Sequence, residues 1–131
     1  MLGRPGKKKL NARTRGYHGT TLGAASLTGL SYVHARFDLP LSKLFVHVSP
    51  AHWPAGAEPG ETEDASAERL ARELDETIVR EGPDTVAAFF AEPVMGAGGV
   101  LIPPARYFEW IQPVLRRHDV LLVADEVICG F

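Results

Sequence analysis

The stretch VLLVADEVICGF, Val120 to Phe131, carries five apolar residues straight into Asp125 and Glu126. An unbroken apolar run rich in β-branched side chains is the pattern of a strand covered on both faces, as in a parallel α/β sheet. Ligands in such sheets bind beyond the carboxyl ends of the strands. Asp125 therefore stands where a ligand would sit, on rigid backbone. Its carboxylate can pair with a cationic ring nitrogen, a metal ion or a ribose, or it can cap the strand in solvent.

Immediately upstream, Val86 to Ala91 (VAAFFA) is a second all-apolar strand, ending in Glu92-Pro93. The glycine-rich loop Met95 to Gly99 follows, then Pro103 and Pro104, then a helix expected from about Ala105 to His118 with Phe108, Ile111 and Leu115 facing inward. Pro113 in its interior predicts a kink or an early break, because proline removes a backbone bond and clashes with the preceding turn. Strand, helix and strand make a β-α-β unit, whose crossover sets the two strands parallel and about 4.8 Å apart. Glu92 and Asp125 then emerge at one edge. Two such carboxylates can bind a metal, share a proton, or leave one holding a cationic ligand while the other supports it from behind. The glycine loop has no GxGxxG pattern, which gives a dinucleotide-binding reading little support.

Further upstream, Thr62 opens the clearest helix, with Glu63 and Asp64 in its first turn and Gly82-Pro83 closing it. Ala67, Leu70, Ala71, Leu74 and Ile78 form its apolar face, and Glu68 with Arg72 and Glu76 with Arg80 are expected as i,i+4 ion pairs on the wet side. From Ser31 to Gly60 periodicity fails, with Pro40, Pro50, Pro54 and Pro59 scattered through it and only Leu44 to Val48 reading as a strand. His34, His47, His52 and Trp53 in this segment match no tight metal-ligand spacing, and no metal site is expected.

Near the amino terminus, Gly3, Pro5 and Gly6 with Lys7 to Lys9 make a solvated start. Leu10, Ala12 and Thr14 then alternate with Asn11, Arg13 and Arg15 as in a strand with a cationic mouth. Glycines flank Tyr17 and His18 in Gly16-Tyr17-His18-Gly19, a turn expected to present both rings outward. Thr20 and Thr21 cap a short helix running through Ser26 and ending near Gly29. Strand, aromatic turn and helix form a common binding-site layout, though the same turn also suits a packing tyrosine.

At 131 residues, 45% hydrophobic and with a formal charge of -2, the chain is at most one ordinary domain. The charge balance, and the lack of a basic stripe interleaved with aromatics, argue against a nucleic-acid binder. The single cysteine, Cys129, excludes an internal disulfide framework and points to a reducing, cytoplasmic compartment. No apolar segment follows the basic amino terminus MLGRPGKKKL, and no run approaches the roughly 20 residues of a membrane span, so no membrane partner is expected. Four apolar residues before Asp-Glu also describe the magnesium-binding motif of P-loop ATPases. That reading lacks its phosphate loop, since Gly3-Arg4-Pro5-Gly6-Lys7-Lys8 has neither the spacing nor the hydroxyl.

The combination RTRGYHGTTLGAASLTG, EGPDTVAAFFAEPVMGAGGVLIPPARYF and DVLLVADEVICGF resembles the class III pyridoxal-phosphate-dependent aminotransferases. The likeness is closest to the subgroup that moves amino groups from ω-amino acids or amines to pyruvate, and it runs from about Leu2 to Phe131. It implies fold type I: a mainly parallel sheet with helices on both faces, in the large domain of a homodimer. It implies pyridoxal 5'-phosphate as cofactor, with an amino donor and a keto acid as substrates. By the same resemblance Asp125 pairs with the pyridine nitrogen, and a carboxylate there keeps that nitrogen protonated so that the ring can act as an electron sink. Val127 packs on one face of the ring, Tyr17 covers the other with His18 beside it, and Glu92 supports the site from behind.

The chain also departs from the family pattern. The Schiff-base lysine of the family lies downstream of the ADEV motif, whereas Lys7, Lys8, Lys9 and Lys43 all lie upstream. The phosphate-gripping loop expected before Leu2 and the carboxylate-binding arginine of the small domain are not found. Residues 1–131 therefore look like an internal piece of the large domain, cut at both ends and inactive alone. The alternative is a short non-catalytic relic that binds pyridoxal phosphate weakly or packs against a partner, with exposed strand edges that favour association.

Overall fold

The computed structural model describes residues 3–130, so Met1, Leu2 and Phe131, the outer limits of the resemblance, lie outside the described residues. Four strands form one sheet: β1 (Lys9–Arg13), β2 (Phe45–Val48), β3 (Val86–Ala91) and β4 (Leu121–Ala124). Their order is β2-β1-β3-β4, and every pairing is parallel. Ala88 to Ala91 of β3 pair in register with Leu121 to Ala124 of β4, as the β-α-β reading requires. All four carboxyl ends therefore open on one rim of the sheet.

Helices cover both faces. On one side, α3 (Glu63–Glu81) and α4 (Tyr107–Arg117) pack Leu70, Leu74, Ile78, Tyr107, Ile111 and Leu115 against Phe89 and Ala91. On the other, the short α1 (Leu22–Leu27) lies beside β1 and β2 and is followed by α2 (Ser31–His34). The caps are those the sequence predicts: the hydroxyls of Thr21 and Thr62 accept from the N–H groups of Ala24 and Ala65.

Four local expectations are corrected. First, among the described residues β4 is one of the two outermost of the four strands and α4 covers the side bearing Leu122, while Leu121 is 51% exposed. Second, α4 starts at Tyr107 and continues through Pro113 without a break. Pro113 lies on the exposed side, and burial of Ile111, Val114 and Leu115 around it holds the helix together. Third, the Glu68–Arg72 and Glu76–Arg80 pairs do not form; those side chains face water, where such contacts gain little, and Arg80 donates to the Thr77 hydroxyl instead. Fourth, Asn11 and Arg13 of β1 are buried, so of the two arginines in the expected cationic mouth only Arg15 is exposed at the strand end.

Candidate active site

At the carboxyl rim, the backbone after β1 turns sharply at Arg15, whose φ is +67°. Gly29 makes this turn possible. Its N–H donates to Gly16 O at 2.8 Å, the Arg15 N–H donates to Gly29 O at 2.8 Å, and a Cβ on Gly29 would stand 2.2 Å from Arg13 O. Only a residue without a side chain fits so close to backbone.

The turn sends its two rings in different directions. Tyr17 is 37% exposed, as expected. His18 is not presented outward: its side chain is 4% exposed, with the ring edge-on to Phe90 and the backbone N–H donating to the Thr28 hydroxyl at 2.8 Å. The reason is a partner two strands away, since His18 Nδ1 donates to Asp125 Oδ2 at 2.8 Å. That bond fixes the tautomer and orients the carboxylate. Asp125 is also tied through its N–H to Ala91 O at 2.9 Å, and its Oδ1 accepts from the Val127 N–H at 3.3 Å.

Glu92 is 5% exposed. Its Oε1 accepts from the Tyr17 N–H at 3.0 Å and its Oε2 from the Gly96 N–H at 3.2 Å. Two backbone donors satisfy the buried charge, so the carboxylate fastens the tyrosine turn to the glycine loop. Among the described residues no group of three or more His, Cys, Asp or Glu is placed to hold a metal ion. His34 and His47 donate instead to the carbonyls of Ala25 and Leu27, at 2.9 and 2.8 Å.

Tyr17, His18, Glu92, Asp125 and Val127, with Ile128, line one recess of about 180 Å³. It adjoins a wider hollow of about 630 Å³ bounded by Leu27, Phe90, Val123 and Asp125. The lysines sit elsewhere. Lys7 Nζ donates to the carbonyls of Pro83, Val86 and His118, Lys9 Nζ to Glu81, and Lys43 precedes β2, all at the amino-terminal side of the strands. Gly3 to Lys8 lie on that side too, remote from Asp125, which leaves the ATPase reading without a phosphate loop at the site.

Sequence reading missed Arg13, whose guanidinium is buried beneath the site. It donates to Glu92 O and lies 5.6 Å from the centre of the Tyr107 ring. Burial also pushes the Tyr107 phenol up, with the nearby Arg13 charge opposing it.

A parallel sheet carries an acid, an aromatic turn and a glycine loop at one rim, the edge where open α/β sheets bind ligands. The chain belongs to the class III aminotransferase family, whose model matches residues 1–131. It is 55% identical over 130 residues to gamma aminobutyrate transaminase 3, chloroplastic, of Solanum lycopersicum, covering 99% of this chain and 25% of that protein. It is 53% identical to vanillin aminotransferase of Capsicum frutescens, covering 99% and 28%. The structure superposes on the omega transaminase from Pseudomonas jessenii in complex with PMP with a TM-score of 0.95 and 55% identity, over 99% of this chain and 28% of that one. The fold is accordingly part of a fold type I domain, and the chain spans about a quarter of the length of the curated relatives it matches.

Pyridoxal 5'-phosphate is the cofactor of this family. The donor set suits it. A flat cationic ring needs a carboxylate at one edge and apolar cover on its faces; Asp125 retains acceptor capacity beyond His18 and Val127, and Tyr17 and Val127 border the same recess.

Proposed function

We propose that residues 1–131 form part of the cofactor-binding large domain of a longer, homodimeric aminotransferase, which moves an amino group from an ω-amino acid or amine to a keto acid such as pyruvate. The observation that carries this reading is the shared recess, in which Asp125, Tyr17 and Val127 meet although they come from β4 and the turn after β1. When bound, pyridoxal phosphate supplies an electron sink for the pair left behind when the donor loses its α-proton.

In this reading the chain's own residues bind and orient. Asp125 holds the ring nitrogen protonated, and His18 keeps that carboxylate aimed. Tyr17 and Val127 cover the two faces of the ring and exclude water, while Glu92 fixes the turn that carries Tyr17. The lysine that exchanges protons with the substrate comes from outside this chain, because Lys7, Lys8, Lys9 and Lys43 gather on the opposite side of the sheet. The lone exposed Cys129 suits a reducing, cytoplasmic compartment. No helix among the described residues is long and apolar enough to cross a membrane.

A second reading, packing against a partner without catalysis, is favoured by the exposure of Leu121, Val127 and Ile128, at 51%, 88% and 65%. The deciding assay supplies the full-length protein with pyridoxal phosphate, pyruvate and a panel of ω-amino acids and primary amines. Alanine formation by the full-length protein, and none by the 131-residue chain alone, is expected. No transfer from any donor would sink the aminotransferase reading.

A further inference from the structure

Arg13 is 1% exposed, yet among the described residues no carboxylate lies within ion-pair distance of it. Its partners are one neutral carbonyl, Glu92 O, and Tyr107, which it meets through both the ring face and the phenol oxygen, and its Nη1 has no hydrogen-bond partner. A buried cation so poorly compensated costs stability, and an apolar side chain of similar volume would serve the core better. The position calls for another explanation.

The contacts supply one, because they close on themselves. The Gly16 N–H donates to Arg13 O at 3.1 Å, the next N–H, that of Tyr17, donates to Glu92 Oε1 at 3.0 Å, and Glu92 O accepts from the Arg13 guanidinium. The circuit begins and ends on Arg13. It joins the end of β1, the tyrosine turn and the end of β3, and Glu92 Oε2 extends it to the glycine loop through Gly96. Neither the turn nor Glu92 can shift without breaking a contact made by this one residue. Arg13 itself lines neither hollow beside Asp125.

We propose that Arg13 is a positioning residue of the recess, acting through Glu92 to hold Tyr17 where it covers a bound ring. The role rests on the reading of the recess as the pyridoxal phosphate site. It accounts for a stability cost that core packing leaves unexplained.

The test uses the full-length protein with Arg13→Met, Arg13→Lys and, as a control on the same strand, Lys9→Met. Two quantities are read: pyridoxal phosphate affinity by absorbance titration, and hydrogen exchange at the Tyr17 and Gly96 amides. In Arg13→Met the dissociation constant and both exchange rates rise about tenfold, the effect of losing one charge-assisted hydrogen bond, while Lys9→Met changes neither. A folded Arg13→Met protein with wild-type exchange at both amides overturns the proposal. If Arg13→Met does not fold, Arg13→Lys decides in the same way, since it keeps the charge but loses the planar fork. Failure of both to fold marks Arg13 as purely structural and also overturns it. If the wild-type protein takes up no pyridoxal phosphate, the cofactor reading fails, and the exchange rates alone still decide whether Arg13 holds the turn.

Discussion

His18 Nδ1 and Asp125 Oδ2 meet at 2.8 Å although 107 residues separate them in sequence. The bond crosses from the turn after β1 to the end of β4 and aims one carboxylate oxygen. On the proposed reading, Asp125→Asn in the full-length protein keeps an acceptor for His18 but loses the charge that would face a protonated ring nitrogen. A fall in kcat of about 10²-fold with the fold retained is expected. Steady-state kinetics with circular dichroism check it, and unchanged turnover would remove Asp125 from this role.

Glu92→Gln tests the fastening of the tyrosine turn. An amide has one acceptor oxygen, so it cannot serve both the Tyr17 and Gly96 N–H groups. The orphaned donor is expected to lower stability by about 1–3 kcal/mol in denaturant unfolding. A midpoint equal to that of the wild type would mean that the two N–H groups have other partners.

Gly29→Ala and Gly23→Ala are expected to have opposite effects. A methyl group at position 29 would collide with Arg13 O at 2.2 Å and Thr14 Cα at 2.7 Å, both backbone, and a loss of about 3 kcal/mol is expected. At position 23, on α1, nothing lies within 4 Å, and alanine should add roughly 0.5–1 kcal/mol by restricting the unfolded chain. Urea melts of the two variants would show this opposition or its absence.

His47 ties stability to pH. Burial, chiefly, holds its pKa below the ordinary 6.5; the Leu27 carbonyl opposes this, and His34 and His18 add to it. Below 6.5 the unfolded chain therefore takes up the proton more readily than the folded one. The stability given by neutral His47 is complete above about 6.5 and is lost as pH falls through its lower folded value. His47→Gln should flatten that acid-side slope in melts between about pH 7 and 5. An unaltered slope would assign the pH dependence to other groups.

Much of the fold was legible because local periodicity and burial agree. The face Ala67, Leu70, Ala71, Leu74 and Ile78 of α3, the run Val86–Ala91 and the Thr21 and Thr62 caps all read correctly from short windows. Tyr17, His18, Glu92, Asp125 and Val127, singled out from separate stretches, do line one recess. Features that depend on distant partners were not legible. Arg13 read as part of a cationic strand mouth because the carbonyl and ring that bury it belong to the distant Glu92 and Tyr107. The inward rotation of His18 depends on Asp125.

The all-parallel order β2-β1-β3-β4 also carries a kinetic consequence. β3 and β4 are joined by a single helical crossover, whereas β1 pairs with β3 across most of the chain, Leu10 with Ala88. Closing that long loop loses more entropy than closing the short one, so the β3-α4-β4 unit should assemble first and the docking of β1 should limit the rate. The two halves of the recess then meet only in the last step. Pulse-labelled exchange during refolding would test this, with amides of β4 protected before those of β1; the reverse order would refute it. A ligand that needs both Tyr17 and Asp125 would then recognise only chains that have finished folding.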